Sequence, residues 1–389
     1  MTGLLDEIAD VGRDTRRGGY SRHGFDRADA ELRTWFREQA TRRGLDVDTD
    51  RNGNLWAWWG ARGPNVVVTG SHLDSVPGGG AFDGPLGVVS ALDAVESLRA
   101  KGFQPTRPLA VVMFGEEEGG RFGVPCLGSR LMTGAIDPDV ARNLTDPHGI
   151  TVAEAARAAS IDPAGFGPDP VVDEIGCFVE LHVEQGRLLG DAPIGVASSI
   201  LAHGRWRFTV TGEGNHAGTT ELADRHDPML PAAAAVLAAR KAITGGARAT
   251  IGRFIPNPGG TNVIASSVDF WLDARGGATR SVVEDITAAV LEAATAEGCT
   301  VTVREESFGD PVHFDPGLRD QLIRLLNGIP AIPTGAGHDA GILAARVPTA
   351  MLFVRNPTGV SHAPAEHAEP GDCAAGAQAL ADVLEALSR

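Results

Sequence analysis

Short, continuous apolar runs alternate with helical patterns through the first half of the chain. Residues 26–43 place Leu32, Trp35 and Phe36 on one helical face. The run NVVVT at 65–69 reads as a buried strand, and a helix is expected over 86–100. LAVVMF at 109–114, CFVELHV at 177–183 and TAMLFV at 349–354 are further runs of the strand type, and a last helix is expected over 372–387. Continuous apolar strands between helices predict a mostly parallel sheet flanked by helices, an α/β fold.

The middle of the chain has another rhythm. RWRFTVTG at 205–212 alternates like a half-exposed strand, residues 227–243 form an Ala-rich helical pattern, and strands are expected over 249–255 and 268–274. A helix follows over 281–298, with Ser281 and Glu284 spaced as a capping box, and TVTVR at 300–304 closes the set. The order strand, helix, strand, strand, helix, strand is that of a ferredoxin-like sandwich. Residues 200–310 are therefore expected to be an α+β domain inserted into a domain made of 1–199 and 311–389.

Composition narrows the class. The 389 residues suffice for about two domains, and 43% hydrophobic with 22% charged residues is ordinary for a globular protein. A net charge of −16 argues against nucleic acid or an anionic membrane as partner. No stretch approaches the roughly 18 apolar residues of a membrane span, and the first residues lack the basic start and apolar run of a signal peptide. Cys126, Cys177, Cys299 and Cys373 are widely spaced, as reduced thiols would be. The expected location is cytoplasmic.

Candidate chemistry collects where the parallel strands should end. SHLDSVPGGGAFDG at 71–84 brings His72, Asp74 and Asp83 after the first run. Glu116, Glu117 and Glu118 follow the second, His182 and Glu184 close the third, and His362 lies beyond the last. Ligands of open α/β sheets bind outside the carboxyl ends of the strands. A His after a strand is more often a satisfied polar residue, and three glutamates are usually a solvated turn. These glutamates, however, abut a run that should be buried, where unpaired carboxylates repel one another and a cation would relieve the cost. Imidazole with carboxylate suits zinc, manganese, cobalt or nickel. Two such ions about 3.5–4 Å apart can share a carboxylate and activate a water, with a further carboxylate as general base. Spacing alone leaves open which group does what.

The motifs resemble the M20 family of dinuclear metallopeptidases and amidohydrolases. The resemblance is greatest to its subgroup of N-carbamoyl-L-amino-acid hydrolases, allantoate amidohydrolases and β-ureidopropionases. It runs from RNGNL at 51–55 to the His362 segment and implies a zinc-exopeptidase-like catalytic domain with an inserted lid and dimerisation domain. It further implies two divalent metal ions per subunit, one held by His72, Asp83 and His182, the other by Asp83, Glu118 and His362. Glu117 matches the general base, and Asp74 the carboxylate that orients His72. His182, followed by Glu184-Gln185-Gly186, separates the carbamoylase-like subgroup from peptidases that carry a carboxylate there.

In the insert, His216 within GNHAGTT resembles the residue that reaches the substrate oxyanion, commonly across a dimer. Asn262 in GGTNVI resembles a substrate-binding Asn, and Arg275 in LDAR resembles the Arg that grips a substrate carboxylate. Gln185 is expected to touch substrate, and His338 in GAGHD lies in a segment typical of the subgroup. Glu221-Leu222 stands where relatives often have Pro-Met, and Gly276-Gly277 follows Arg275, which leaves the substrate side chain open.

The implied reaction is metal-assisted hydrolysis of a linear ureido amide carrying a carboxylate, with release of ammonia and carbon dioxide. The implied assembly is a homodimer, with the insert closing on the metal domain. Two other readings remain: a dipeptidase or aminoacylase of the same family, and a non-catalytic relative.

Overall fold

In the computed structural model, which describes residues 2–242 and 246–389, the apolar runs become the inner strands of one sheet. Leu109–Phe114, Val66–His72, Ile175–Val183 and Thr349–Val354 lie side by side in that order and run parallel. Every residue of Val66–His72, Leu109–Phe114 and Thr349–Val354 is buried, because helices cover both faces. The helices Pro85–Ala100 and Pro370–Leu387 pack on each other and on these strands. Leu86, Val89 and Leu92 of the first meet Leu380 and Leu384 of the second in the main core. Each buried side chain of this size contributes about 1.5–3 kcal/mol.

Antiparallel strands extend the sheet at both sides. Leu55–Trp59 pairs with Leu109–Phe114 and carries Asp46–Thr49 beyond it, while Ile194–Ile200 pairs with Thr349–Val354. The period-based reading assigned none of these three strands. LWAWW at 55–59 is buried at every position, like the inner strands whose runs the pattern did assign. The chain divides into two compact units, 1–199 with 313–389, and 200–312.

The described residues of the second unit form four antiparallel strands and two longer helices. The strands Thr300–Gly309, His203–Thr211, Ser267–Arg275 and Arg248–Asn257 lie in that order, with Met229–Lys241 and Thr279–Ala296 as the helices. This is the ferredoxin-like arrangement that the element order predicts. Its two inner strands alternate cleanly: Trp206, Phe208 and Val210 join Val268, Phe270, Leu272 and Ala274 in a core against Ala232, Ala235, Ile286 and Val290. Phe208 and Phe270 stack with ring centroids 4.9 Å apart.

Two helices of this unit begin elsewhere than their sequence signals predict. The second helix begins at Thr279, two residues before Ser281, so the Ser281–Glu284 capping box does not form. The Thr279 hydroxyl instead donates to the carbonyls of Gly276 and Ala202, at 2.7 and 3.1 Å, which fixes the earlier start. The Ala-rich helix begins at Met229, not Asp227, because Pro228 occupies its entry and the Asp227 carboxylate accepts the Met229 amide. Ile243, expected as its last residue, lies outside the described residues.

Candidate metal centre

Parallel register sends the carboxyl ends of the four inner strands to one rim of the first unit. His72 is the last residue of its strand, His182 the penultimate one of its own, and the three glutamates begin two residues after Phe114. The 73–84 loop then returns Asp83 to the same rim. Gly84, with φ +83°, lies against the His72 imidazole, where any Cβ would collide with the ring. A glycine is therefore required for loop and imidazole to meet.

Asp83 is the hub. Its Oδ1 lies 3.2 Å from His182 Nε2 and 3.6 Å from His72 Nε2, and its Oδ2 lies 3.3 Å from His362 Nε2. His362 Nε2 is also 3.4 Å from Glu118 Oε2. Two groups of donors result, His72 with Asp83 and His182, and Asp83 with Glu118 and His362, each compact enough to hold one ion. Gln185 Nε2 donates to Asp83 Oδ2 at 2.8 Å, and the Ser361 hydroxyl donates to the same atom at 3.2 Å.

The donor set itself tests the fit to a cation. His72 Nδ1 is 3.1 Å from the Asp74 carbonyl, and His182 Nδ1 is 2.9 Å from the Val183 carbonyl. A carbonyl only accepts, so both Nδ1 atoms carry the proton and both Nε2 lone pairs face Asp83. Those two Nε2 atoms are buried and have no hydrogen-bond partner among the described residues. Lone pairs facing a carboxylate in a buried site need a cation or a proton between them. The residues fit a metal.

Charge coupling supports this. Burial raises the Asp83 carboxyl, yet its contacts with His182, His362 and His72 hold it well below the usual range. Burial opposes the charged form of His182, but the Asp83 carboxylate 3.2 Å from its Nε2 outweighs that and raises the imidazole to about 9. Burial pushes Glu117 up to about 8 against the pull of His72, with Glu118, Asp74 and Asp83 adding to the rise. Burial and then the charge of Asp83 raise Glu118 well above its ordinary value.

The three consecutive glutamates divide their work. Glu116, with φ +53°, accepts the amides of Gly24, Arg121 and Phe122, at 2.8, 3.2 and 3.2 Å, and so ties the loop down. Glu117 Oε2 lies 3.6 Å from His72 Nε2, and the Cys126 thiol donates to its Oε1 at 3.3 Å. Glu118 faces His362. The carboxylate of Asp74 accepts the amides of Glu117 and Glu118, at 3.2 and 3.0 Å, and stands 3.5 Å from His72 Nδ1. The Asp74 backbone carbonyl is therefore the nearer partner of His72, and the side chain sets the glutamate loop.

Period and spacing gave no role to Glu180, Asp339, Ser361 and Glu366, which the structure brings to the same region. Glu180 accepts from the Ser71 hydroxyl at 2.8 Å and from the Ala340 amide at 3.0 Å. It forms a third buried group with His182 and His338, whose rings are 4.5 Å apart. Both Glu180 oxygens already accept hydrogen bonds, which marks that group as a support beneath His182. The available signal was the i, i+2 spacing of Glu180 and His182, which places both on one face of a strand.

In the second unit, His216 and Asn262 come together on a two-stranded ribbon. His216 pairs with Val263, and the Asn262 carbonyl accepts the Ala217 amide at 3.0 Å. Both side chains are exposed. Arg275 ends its strand with its guanidinium on Asp273, at 2.8 and 3.2 Å.

Imidazoles and carboxylates gathered at the strand ends of a parallel sheet can hold metal ions, and comparison with known proteins gives the class, a hydrolase. Residues 68–386 match the model of peptidase family M20/M25/M40, and the chain belongs to that family. It is 36% identical to an N-carbamoyl-L-amino acid amidohydrolase of Geobacillus stearothermophilus, over 97% of this chain and 95% of that protein. It is 31% identical to an allantoate amidohydrolase of Bacillus subtilis, over 100% and 97% of the two chains. A hydantoinase/carbamoylase family amidase of Burkholderia vietnamiensis superposes with a TM-score of 0.88 at 29% identity, covering 100% of this chain and 96% of that one.

Proposed function

We propose that this protein hydrolyses the ureido C–N bond of an N-carbamoyl-L-amino acid or of allantoate, at a centre of two divalent cations. At the coarser level it is a hydrolase of linear, non-peptide amides. The observation that carries the finer reading is Asp83, whose two oxygens face separate donor sets. His72, Asp83 and His182 would hold one cation, and Asp83, Glu118 and His362 the other. Zinc, manganese, cobalt and nickel all suit these donors. Such ions supply Lewis-acid polarisation of a carbonyl and lower the pKa of water.

The chain's own groups account for the proton traffic. Glu117 takes a proton from the attacking water and hands it to the departing nitrogen. The contacts of its buried carboxylate with the Cys126 thiol on one side and His72 on the other support that role. Cleavage of either C–N bond leaves a carbamic acid, which loses carbon dioxide, so one water yields one ammonia, one carbon dioxide and the amine product. Gln185 has its Nε2 committed to Asp83, while its buried Oε1 has no partner among the described residues and can accept from a ureido N–H. Arg275 and Asn262 are assigned to the substrate carboxylate, and His216 to the oxyanion.

A homodimer is part of the proposal. Leu230 and Leu237 on the Met229–Lys241 helix are 53% and 64% exposed, an apolar surface suited to a second copy. The reduced thiols suit a cytoplasmic protein, and among the described residues no helix is long and apolar enough to cross a membrane.

The test is ammonia release from an N-carbamoyl-L-amino acid, allantoate and a β-ureido acid. Chelated enzyme would be reloaded with Mn, Co, Ni or Zn for each. Turnover of a ureido substrate that depends on the added metal is expected. Cleavage of dipeptides with no ammonia from any ureido compound would overturn the assignment.

A further inference from the structure

We propose that Glu366 is a positioning residue for the centre, locking the bridging carboxylate of Asp83 to the segment that carries His362. The proposal rests on the two-cation reading. Glu366 Oε1 accepts two consecutive backbone amides, Phe82 at 2.8 Å and Asp83 at 3.0 Å. The side chain is only 5% exposed, in a place where a second carboxylate beside Asp83 is electrostatically unfavourable. Ordinary packing would exclude it, so its two amide bonds are what retain it there.

The loop is shaped around this carboxylate. A Cβ at Gly80 would collide with it, so that position admits only glycine while Glu366 stays in place. At its other end Glu366 belongs to the His362 turn. His362 has the left-handed φ of +55°, and the Glu366 amide closes the turn on the Ala363 carbonyl at 3.1 Å. Phe82 and His367 add a T-shaped contact at 6.2 Å. Asp83 and His362, which would both hold the second cation, thus come from loops that Glu366 joins through the backbone amides of one of them, beside the bond of the Ser361 hydroxyl to the Asp83 side chain. Partners behind metal ligands typically change metal affinity by about 10–100-fold when removed.

The experiment compares Glu366→Ala and Glu366→Gln with wild-type protein. Glutamine keeps an oxygen that can accept both amides, whereas alanine keeps none. Metal-free protein would be titrated calorimetrically with Mn²⁺ or Zn²⁺, and amide exchange of residues 80–84 followed in the same metal-free samples. Glu366→Ala should bind the cation about 10–100-fold more weakly and exchange the Phe82 and Asp83 amides faster. Glu366→Gln should restore most of both. Unchanged affinity in Glu366→Ala would overturn the proposal even if its Tm fell, since that would be a structural role alone. Glutamine as weak as alanine would overturn the assignment of Glu366 as amide acceptor. If wild-type protein bound no divalent cation, the two-cation reading would fail, while the exchange data would still decide whether Glu366 holds the loop.

Discussion

The two units carry their candidate functional residues in opposite ways. In the first, ionisable groups are pressed into a buried rim: His182 is fully buried, His72 is 1% exposed, and Asp83 and Glu117 are 5% and 6% exposed. In the second, His216 and Asn262 are exposed, and Arg275 rests on Asp273. Burying charge is costly unless something compensates it, so the first unit declares its chemistry by its own electrostatics. Among its described residues the second contains nothing comparably unfavourable. An exposed His on a ribbon costs nothing, and its role rests on resemblance.

Four experiments sharpen or break this contrast. The largest effect is expected from Asp83→Ala, which removes the shared donor: both cations and all turnover should be lost, measured by metal analysis and ammonia release. Retention of two ions would remove Asp83 from the hub. Next, Glu117→Gln should keep its metal content and lose about 10²–10⁴ in kcat. An active variant would mean that another group moves the proton.

Arg275→Ala probes the second unit. Losing a charge-assisted clamp worth roughly 1.5–3 kcal/mol should lower kcat/KM about 10–100-fold for carboxylate-bearing substrates. Equal losses for uncharged amides would show that the residue does not read the carboxylate.

The smallest effect is on pH-dependent stability and belongs to the first unit. The imidazole of His182 is raised to about 9, so its contribution is present below about 6.5 and lost as pH climbs through 9. Glu117, a carboxyl raised to about 8, acts in the same direction, because the folded state holds its proton more tightly than the unfolded chain. The Tm of chelated protein should therefore fall between pH 6 and 9 by a few degrees, and added divalent cation should flatten the slope. A metal-free Tm that rises over this range would contradict the charge arrangement described for the rim.

Much of the architecture was legible from local pattern. Runs such as LAVVMF and TAMLFV have a single sensible fate, since five or six consecutive apolar residues between turn signals bury best as an inner strand. The RWRFTVTG alternation likewise identifies a half-exposed strand. The ends of helices were less legible. The Thr279 hydroxyl donates to Gly276 three residues back and to Ala202, 77 residues away, and the helix starts there in place of the Ser281 cap. Buried helpers were legible least of all, because Glu366 looks like a surface residue until the 80–83 loop is folded over it.

By itself the sequence determined the two kinds of strand pattern, the α/β class and the inventory of imidazoles and carboxylates at strand ends. Those properties depend on hydrophobic period and on residue identity, which are local. Tertiary structure alone decided that Asp83 offers its two oxygens to different partners and that Asp74 serves His72 by its carbonyl and the glutamate loop by its side chain. It also decided that Glu116 ties a loop while Glu117 and Glu118 face the site. Most of those assignments turn on short contacts between residues far apart in sequence, such as Asp83 with His362 and Glu116 with Gly24. Only the packed sheet, with four strand ends brought to one rim, sets such distances.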